Sequence, residues 1–216
     1  MESIQTLYNS YSDDEKNHIL EIKFGIYEND ELSDDTKRKT GNVLKTSWSK
    51  NSFLKTMEKI EKDLNSSYYS IHSLCRTVYE KGNVLIRYNH FIDESKIEKD
   101  AGDSRVYNKP QCTQYENSIC KDIIYDRKKN KGFRLVLKKK KPLFYQLIPH
   151  SYDTIYTEYL LSYRVNQNYY INFIKRVNRK TQLSSYNVKI IFIKSNKFEE
   201  FKTLKNVFSL LVDSYN

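Results

Sequence analysis

The constraint that bears hardest on this chain is a succession of short apolar segments, many alternating with polar residues, divided by polar or charged stretches from residue 18 to residue 193. Side chains alternate across a strand, so such segments read as strands with one buried and one wetter face. His18 to Tyr27 (HILEIKFGIY) opens the series and is closed by Glu28-Asn29-Asp30-Glu31. Val43 to Trp48 reads as a short strand. The segment from Tyr68 through Arg76 and the run Val84 to Phe91 flank Lys81-Gly82-Asn83 and predict a hairpin. Tyr115 to Tyr125 and Phe133 to Lys139 predict a second one, and Thr157 to Val165, Tyr169 to Val177 and Tyr186 to Ile193 add three strands. Residues 30–39 and 93–114 are charged and read as loops, and Pro142 and Pro149 break the chain.

Two stretches depart from this period. Phe53, Met57, Ile60 and Leu64 fall on one helical face, with Ser49 or Asn51 as its cap, and Phe198, Phe201, Leu204, Phe208 and Leu211 fall on another. The fold class that follows is α+β, mostly β: an antiparallel β-barrel (tunnel) or a strongly curved sheet with two or more flanking helices. Residues 1–17 are a polar lead-in, and 18–216 are expected to form one domain.

The chain has 216 residues and a net charge of +10. A basic balance suits a phosphate-bearing partner. The abundance of Lys, Asn, Ile and Tyr together also fits A+T-rich coding, and composition alone does not separate the two. Nineteen tyrosines suit barrel walls and rims, where a ring is buried and its hydroxyl paired or wet. Cys75, Cys112 and Cys120 form no CxxC pair, which speaks against zinc and against a disulfide framework and favours a reducing compartment. The N-terminus has no apolar signal region, and no run approaches the ~18 apolar residues of a membrane span. The expectation is a cytoplasmic protein without a membrane partner. No nucleophile elbow, P-loop or dinucleotide fingerprint is present.

What remains is cations on strands. Arg134, Val136 and Lys138 share one face; Lys175 and Arg179 share another, with Arg176 and Lys180 opposite; Arg87 and Lys23 lie on two further strands. In a closed barrel alternate residues point inward, so one inward cation per strand builds a positive tunnel suited to a triphosphate. The alternative is that these side chains face solvent, as at least half of Lys138 to Lys141 must.

His18-Ile19-Leu20-Glu21-Ile22-Lys23-Phe24-Gly25 resembles the opening strand of the triphosphate tunnel metalloenzymes, where the pattern is Glu-x-Glu-hydrophobic-Arg/Lys-Phe-Gly. The later order also looks like the RNA 5′-triphosphatase domain of large-DNA-virus mRNA-capping enzymes. A helix is followed by a hairpin ending in Ile86-Arg87 and by Phe133-Arg134-Leu135 running to Pro142. Then comes Lys175-x-Val177-x-Arg179-x-Thr181, and last Lys189-Ile190-Ile191-Phe192-Ile193. The resemblance implies a metal-dependent polynucleotide 5′-triphosphatase using Mg or Mn. Glu21 would be catalytic and the metal ligand, Lys23 catalytic, and Arg87, Arg134, Lys138, Lys175 and Arg179 phosphate-binding. It implies RNA 5′ ends or triphosphate as partners, with other capping-enzyme domains or subunits, in a host-cell cytoplasm or a virion.

The sequence departs from the family where the metal is held. Ile19 stands in place of the first glutamate, Ile191 in place of an aspartate, and the expected C-terminal helix takes the place of a late acidic strand. One carboxylate is too few for a hard divalent cation. The expectation is a triphosphatase-like domain that binds triphosphate or RNA 5′ ends, with weak or no activity as this chain alone. The alternative is a non-catalytic basic protein that binds nucleic acid or assembles with a partner subunit. In the barrel, Glu21 should be buried and paired with a cation such as Arg134 or Arg179.

Overall fold

The computed structural model describes residues 18–29, 42–64, 70–90, 111–126, 130–143, 151–165, 169–192, 207, 209–211 and 213–214. The lead-in 1–17, most of the charged loops at 30–39 and 93–114, and Phe198, Phe201, Leu204 and Phe208 lie outside them.

The strands are β1 (His18–Asn29), β2 (Asn42–Lys45), β3 (Ser70–Lys81), β4 (Val84–His90), β5 (Gln111–Asp126), β6 (Lys131–Pro142), β7 (Thr154–Arg164), β8 (Tyr169–Asn178) and β9 (Ser184–Phe192), with helix α1 (Lys50–Leu64) between β2 and β3. All neighbours are antiparallel, in the order β2-β1-β6-β5-β4-β3-β7-β8-β9. The sheet also closes on itself, because β9 pairs with β1 from Leu20↔Phe192 to Lys23↔Lys189. Eight strands therefore form a ring, and β2 continues along the β9 edge of β1 from Ile26↔Lys45 to Asn29↔Asn42. Of the two expected architectures, the chain adopts the tunnel.

Gly25 makes the β2 junction possible. A Cβ built there would stand 2.1 Å from the carbonyl oxygen of Lys45, a distance that no side chain tolerates.

The hydrophobic core sits outside the ring. Leu20, Ile22 and Phe24 of β1 are buried, as are Phe133, Leu135 and Leu137 of β6, Val188, Ile190 and Phe192 of β9, and Ile171 and Phe173 of β8. Each set is the alternate set of its strand, so all share one face. Helix α1 covers that face through Phe53 and Ile60, with Met57 packed against the cluster. The Phe53 ring meets Phe173 edge-on at 5.5 Å and lies 5.1 Å from Tyr186. Of the two possible caps for α1 the chain uses Ser49, whose Oγ accepts the Ser52 backbone N–H at 3.1 Å. Helical residues at 207 and 209–211 complete the cover, with Val207 and Leu211 buried. With its apolar residues spent outward, each of these strands turns its other set inward.

Candidate anion-binding tunnel

A cavity of about 420 Å³ lies within the ring. Six cations line it, one from each of six strands: Lys23 from β1, Arg76 from β3, Arg87 from β4, Lys138 from β6, Arg176 from β8 and Lys189 from β9. The lining carboxylates are Glu21 and Glu80, and Asn172 and Asn187 add neutral polar groups. Among the described residues the charge balance of the wall is positive, six cations against two carboxylates.

Two carboxylates organise these cations. Glu21 is 4% exposed. Its Oε1 accepts from Lys189 Nζ at 2.9 Å, and its Oε2 lies 3.1 Å from Lys138 Nζ. The register explains this pair. Lys138 stands across β6 from Ile19, and Lys189 across β9 from Lys23, so both reach Glu21 diagonally on the inner face. Burial pushes the Glu21 carboxyl up, but the charges of Lys189, Lys138 and Lys23 together outweigh it and hold the group well below the usual carboxylate range. The same surroundings act the other way on Lys23. Burial and the Lys138 charge pull its ammonium down to about 8, against a smaller opposing pull from Glu21.

Glu158 of β7 is the second centre and is fully buried. Its Oε1 accepts from Arg76 Nε at 2.6 Å and its Oε2 from Arg176 Nε at 2.5 Å. β3, β7 and β8 place these three residues directly across from one another, through Arg76↔Glu158 and Glu158↔Arg176. Burial raises the Glu158 carboxyl, yet Arg176 and Arg76 bring it down to about 2. Each guanidinium has further N–H donors, so the clamp positions both arginines at the cavity wall without using up their hydrogen bonds.

Of the residues singled out from sequence, Glu21, Lys23, Arg87 and Lys138 line the cavity together. Glu21 is buried as expected, but its partners are Lys138 and Lys189 rather than Arg134 or Arg179. Arg134 stands directly across from Lys23 on the same face, half-buried, but outside the cavity lining. Lys175 and Arg179 are elsewhere. Lys175 belongs to the alternate set of β8 that includes Ile171 and Phe173, and its Nζ sits 5.5 Å over the Tyr159 ring on the outer wall. Arg179 is not on a strand: β8 ends at Asn178, whose Oδ1 accepts the N–H groups of Lys180 and Thr181 and turns the chain. Its guanidinium donates to Thr77 and Thr157 instead, at 2.8 and 3.2 Å. The inward residues of β8 are Asn172, Ile174 and Arg176.

Sequence reasoning missed Arg76, Arg176, Lys189 and Glu158. The signal for two of them was present. In β1 the apolar Leu20, Ile22 and Phe24 face outward and leave Glu21 and Lys23 inside. The same rule applied to Ile171 and Phe173 selects Arg176, and applied to Val188 and Ile190 it selects Lys189.

The divalent metal implied by the family resemblance does not fit the described residues. A hard cation needs several oxygen ligands. Here one Glu21 oxygen accepts from Lys189 and the other is ion-paired with Lys138 without a hydrogen bond, and the residues beside it on the inner face, Ile19, Val136 and Ile191, bring no oxygen ligand. Glu158 is held by two arginines. Among the described residues no group of three or more His, Cys, Asp or Glu side chains comes together.

No known family profile and no curated protein matches the sequence. Solved structures do match the fold. The Pct1 RNA triphosphatase of S. pombe superposes with a TM-score of 0.71 at 8% identity, covering 100% of this chain and 94% of that one. The same enzyme in complex with the Spt5 CTD gives 0.68 at 10% identity, covering 100% and 95%. The Mimivirus capping-enzyme triphosphatase gives 0.58 at 14% identity, covering 97% and 96%. The chain therefore has the fold of the RNA triphosphatases, over nearly the whole length of these proteins.

Proposed function

We propose that this chain is an RNA triphosphatase-like tunnel that binds the 5′-triphosphate end of RNA, and that it hydrolyses that end poorly or not at all when alone. The observation that carries the reading is the set of six cations, one from each of six strands, converging on a single cavity. Such a wall matches an elongated polyanion, whose charge is spread over several phosphates, better than a single compact anion. Arg76 and Arg176, fixed by Glu158, offer forked donors to phosphate oxygens; Lys23, Lys138 and Lys189 supply further charge from β1, β6 and β9. The weak hydrolysis follows from the lack, among the described residues, of a carboxylate set able to hold a metal at the phosphates. The setting that suits such a module is a capping assembly in which other domains or subunits do chemistry on the same RNA end.

Calorimetric titration with inorganic triphosphate tests the reading. Saturable binding is expected at low salt, weaker at moderate salt, and weaker again in Arg176→Met but unchanged in Lys175→Met. No saturable binding at low salt would remove the tunnel from consideration as a phosphate site. A phosphate-release assay with Mg or Mn should show little or no product. Robust release abolished by Glu21→Ala would overturn the poor-hydrolase half of the proposal.

A further inference from the structure

We infer that the tunnel takes its polyphosphate without a divalent metal, with Lys138 and Lys189 supplying the countercharge at Glu21. This rests on the tunnel reading above and goes further, because it fixes the ionic form of the ligand.

The inference stands on geometry. Glu21 is the one carboxylate among the inward residues of β1, and both its oxygens are within 3.1 Å of an ammonium nitrogen. A dication seeking Glu21 would have to displace Lys138 or Lys189 and then remain beside the displaced charge and beside Lys23. Like charges at such spacing repel strongly in a partly buried site. Ile19 and Ile191 flank the carboxylate on the same face and offer no oxygen to complete a coordination shell. A polyanion meets the reverse situation. It gains attraction from three lysines and three arginines, while of the described lining carboxylates Glu21 is paired with lysines and Glu80 remains as an opposing charge. Metal complexation of the ligand lowers its charge and so weakens its attraction to this wall.

The role of Glu21 follows. In a metal site its removal abolishes ligand binding. In a metal-free site it removes a competing anion and releases two ammonium groups to the ligand. The two cases predict opposite signs for Glu21→Gln.

The experiment titrates inorganic triphosphate into the full chain in EDTA and, separately, in excess magnesium chloride. Affinity in EDTA should be no lower than in magnesium, and severalfold higher if complexation matters. Glu21→Gln should bind on the order of tenfold tighter in EDTA. Manganese alone, followed by electron paramagnetic resonance, should show no saturable binding to the protein. Binding that needs magnesium or manganese, or saturable manganese binding lost in Glu21→Gln, overturns the inference while leaving the tunnel reading intact. Absence of binding in both buffers overturns the two together. If Glu21→Gln does not fold, the wild-type comparison between EDTA and magnesium decides alone.

Discussion

Lys23 shows how position rewrites the chemistry of a side chain. Its ammonium is pulled from an ordinary 10.5 to about 8 by burial and by the neighbouring Lys138 charge. The folded chain therefore carries the cost of that charge below pH 8. As pH rises from about 8 to 10.5 the folded state has released this proton while the unfolded chain still holds it, so the contribution of Lys23 to stability improves across that window. Anion binding has the opposite sign, since a bound polyanion favours the charged form and its affinity falls as pH passes through 8. Triphosphate titrations at pH 7 and pH 9 should show this loss in the wild type. Lys23→Met should bind on the order of tenfold more weakly at pH 7 and show a smaller change between the two, which separates the side chain from the ligand's own titration. That Glu21 and Lys23 share a face was legible from alternation alone. The partners of Glu21 were not, because diagonal neighbours depend on how β1 registers with β6 and β9.

At the scale of elements, the periodic segments foretold nearly every strand, and the places where they failed have local causes. The strand reading Tyr169 to Val177 matches β8 to within one residue, but the family motif laid on Lys175, Val177, Arg179 and Thr181 runs past the strand's end at Asn178. The Asn178 side chain ends the strand by accepting the next N–H groups, and a capping interaction of this kind is weak in any sequence signal. The junction of β1 with β2 turns on Gly25. Gly25→Ala would drive a methyl into the Lys45 carbonyl, so it should cost about 2–3 kcal/mol by forcing the two strands apart. Gly82→Ala is the control. Gly82 has φ of +54° in the β3–β4 turn and nothing within 4 Å of a built Cβ, so the cost there is conformational and about 1 kcal/mol. Urea denaturation of both variants checks the ranking; equal losses would show that β2 is not held by this close approach.

At the scale of the whole molecule, the ring is built with its core on the outside. Helix α1 and the helical residues near the C-terminus bury the apolar faces of β1, β6, β8 and β9, so the strands' more polar sets, with their cations, are left inside. That interior is a store of repulsion, held together by the Glu21 and Glu158 clamps. A polyanion that binds the folded ring and not the unfolded chain must stabilise it. At a triphosphate concentration about 100 times the dissociation constant the gain is ~2.7 kcal/mol, or about 5–10 °C in melting temperature for a chain of this size. Thermal unfolding followed by circular dichroism with and without inorganic triphosphate measures it, and the shift should shrink as salt is added. The sequence alone determined that the chain is mostly β, where most strands lie, and that Glu21 and Lys23 share a face. Those properties follow from the two-residue period of a strand, which needs no knowledge of neighbours. Tertiary structure alone decided which face is the inside, and with it that Arg76, Arg176 and Lys189 join the site while Lys175 and Arg179 do not. The inside of a ring exists only once β9 has found β1, a pairing between residues more than 160 positions apart that no local pattern records.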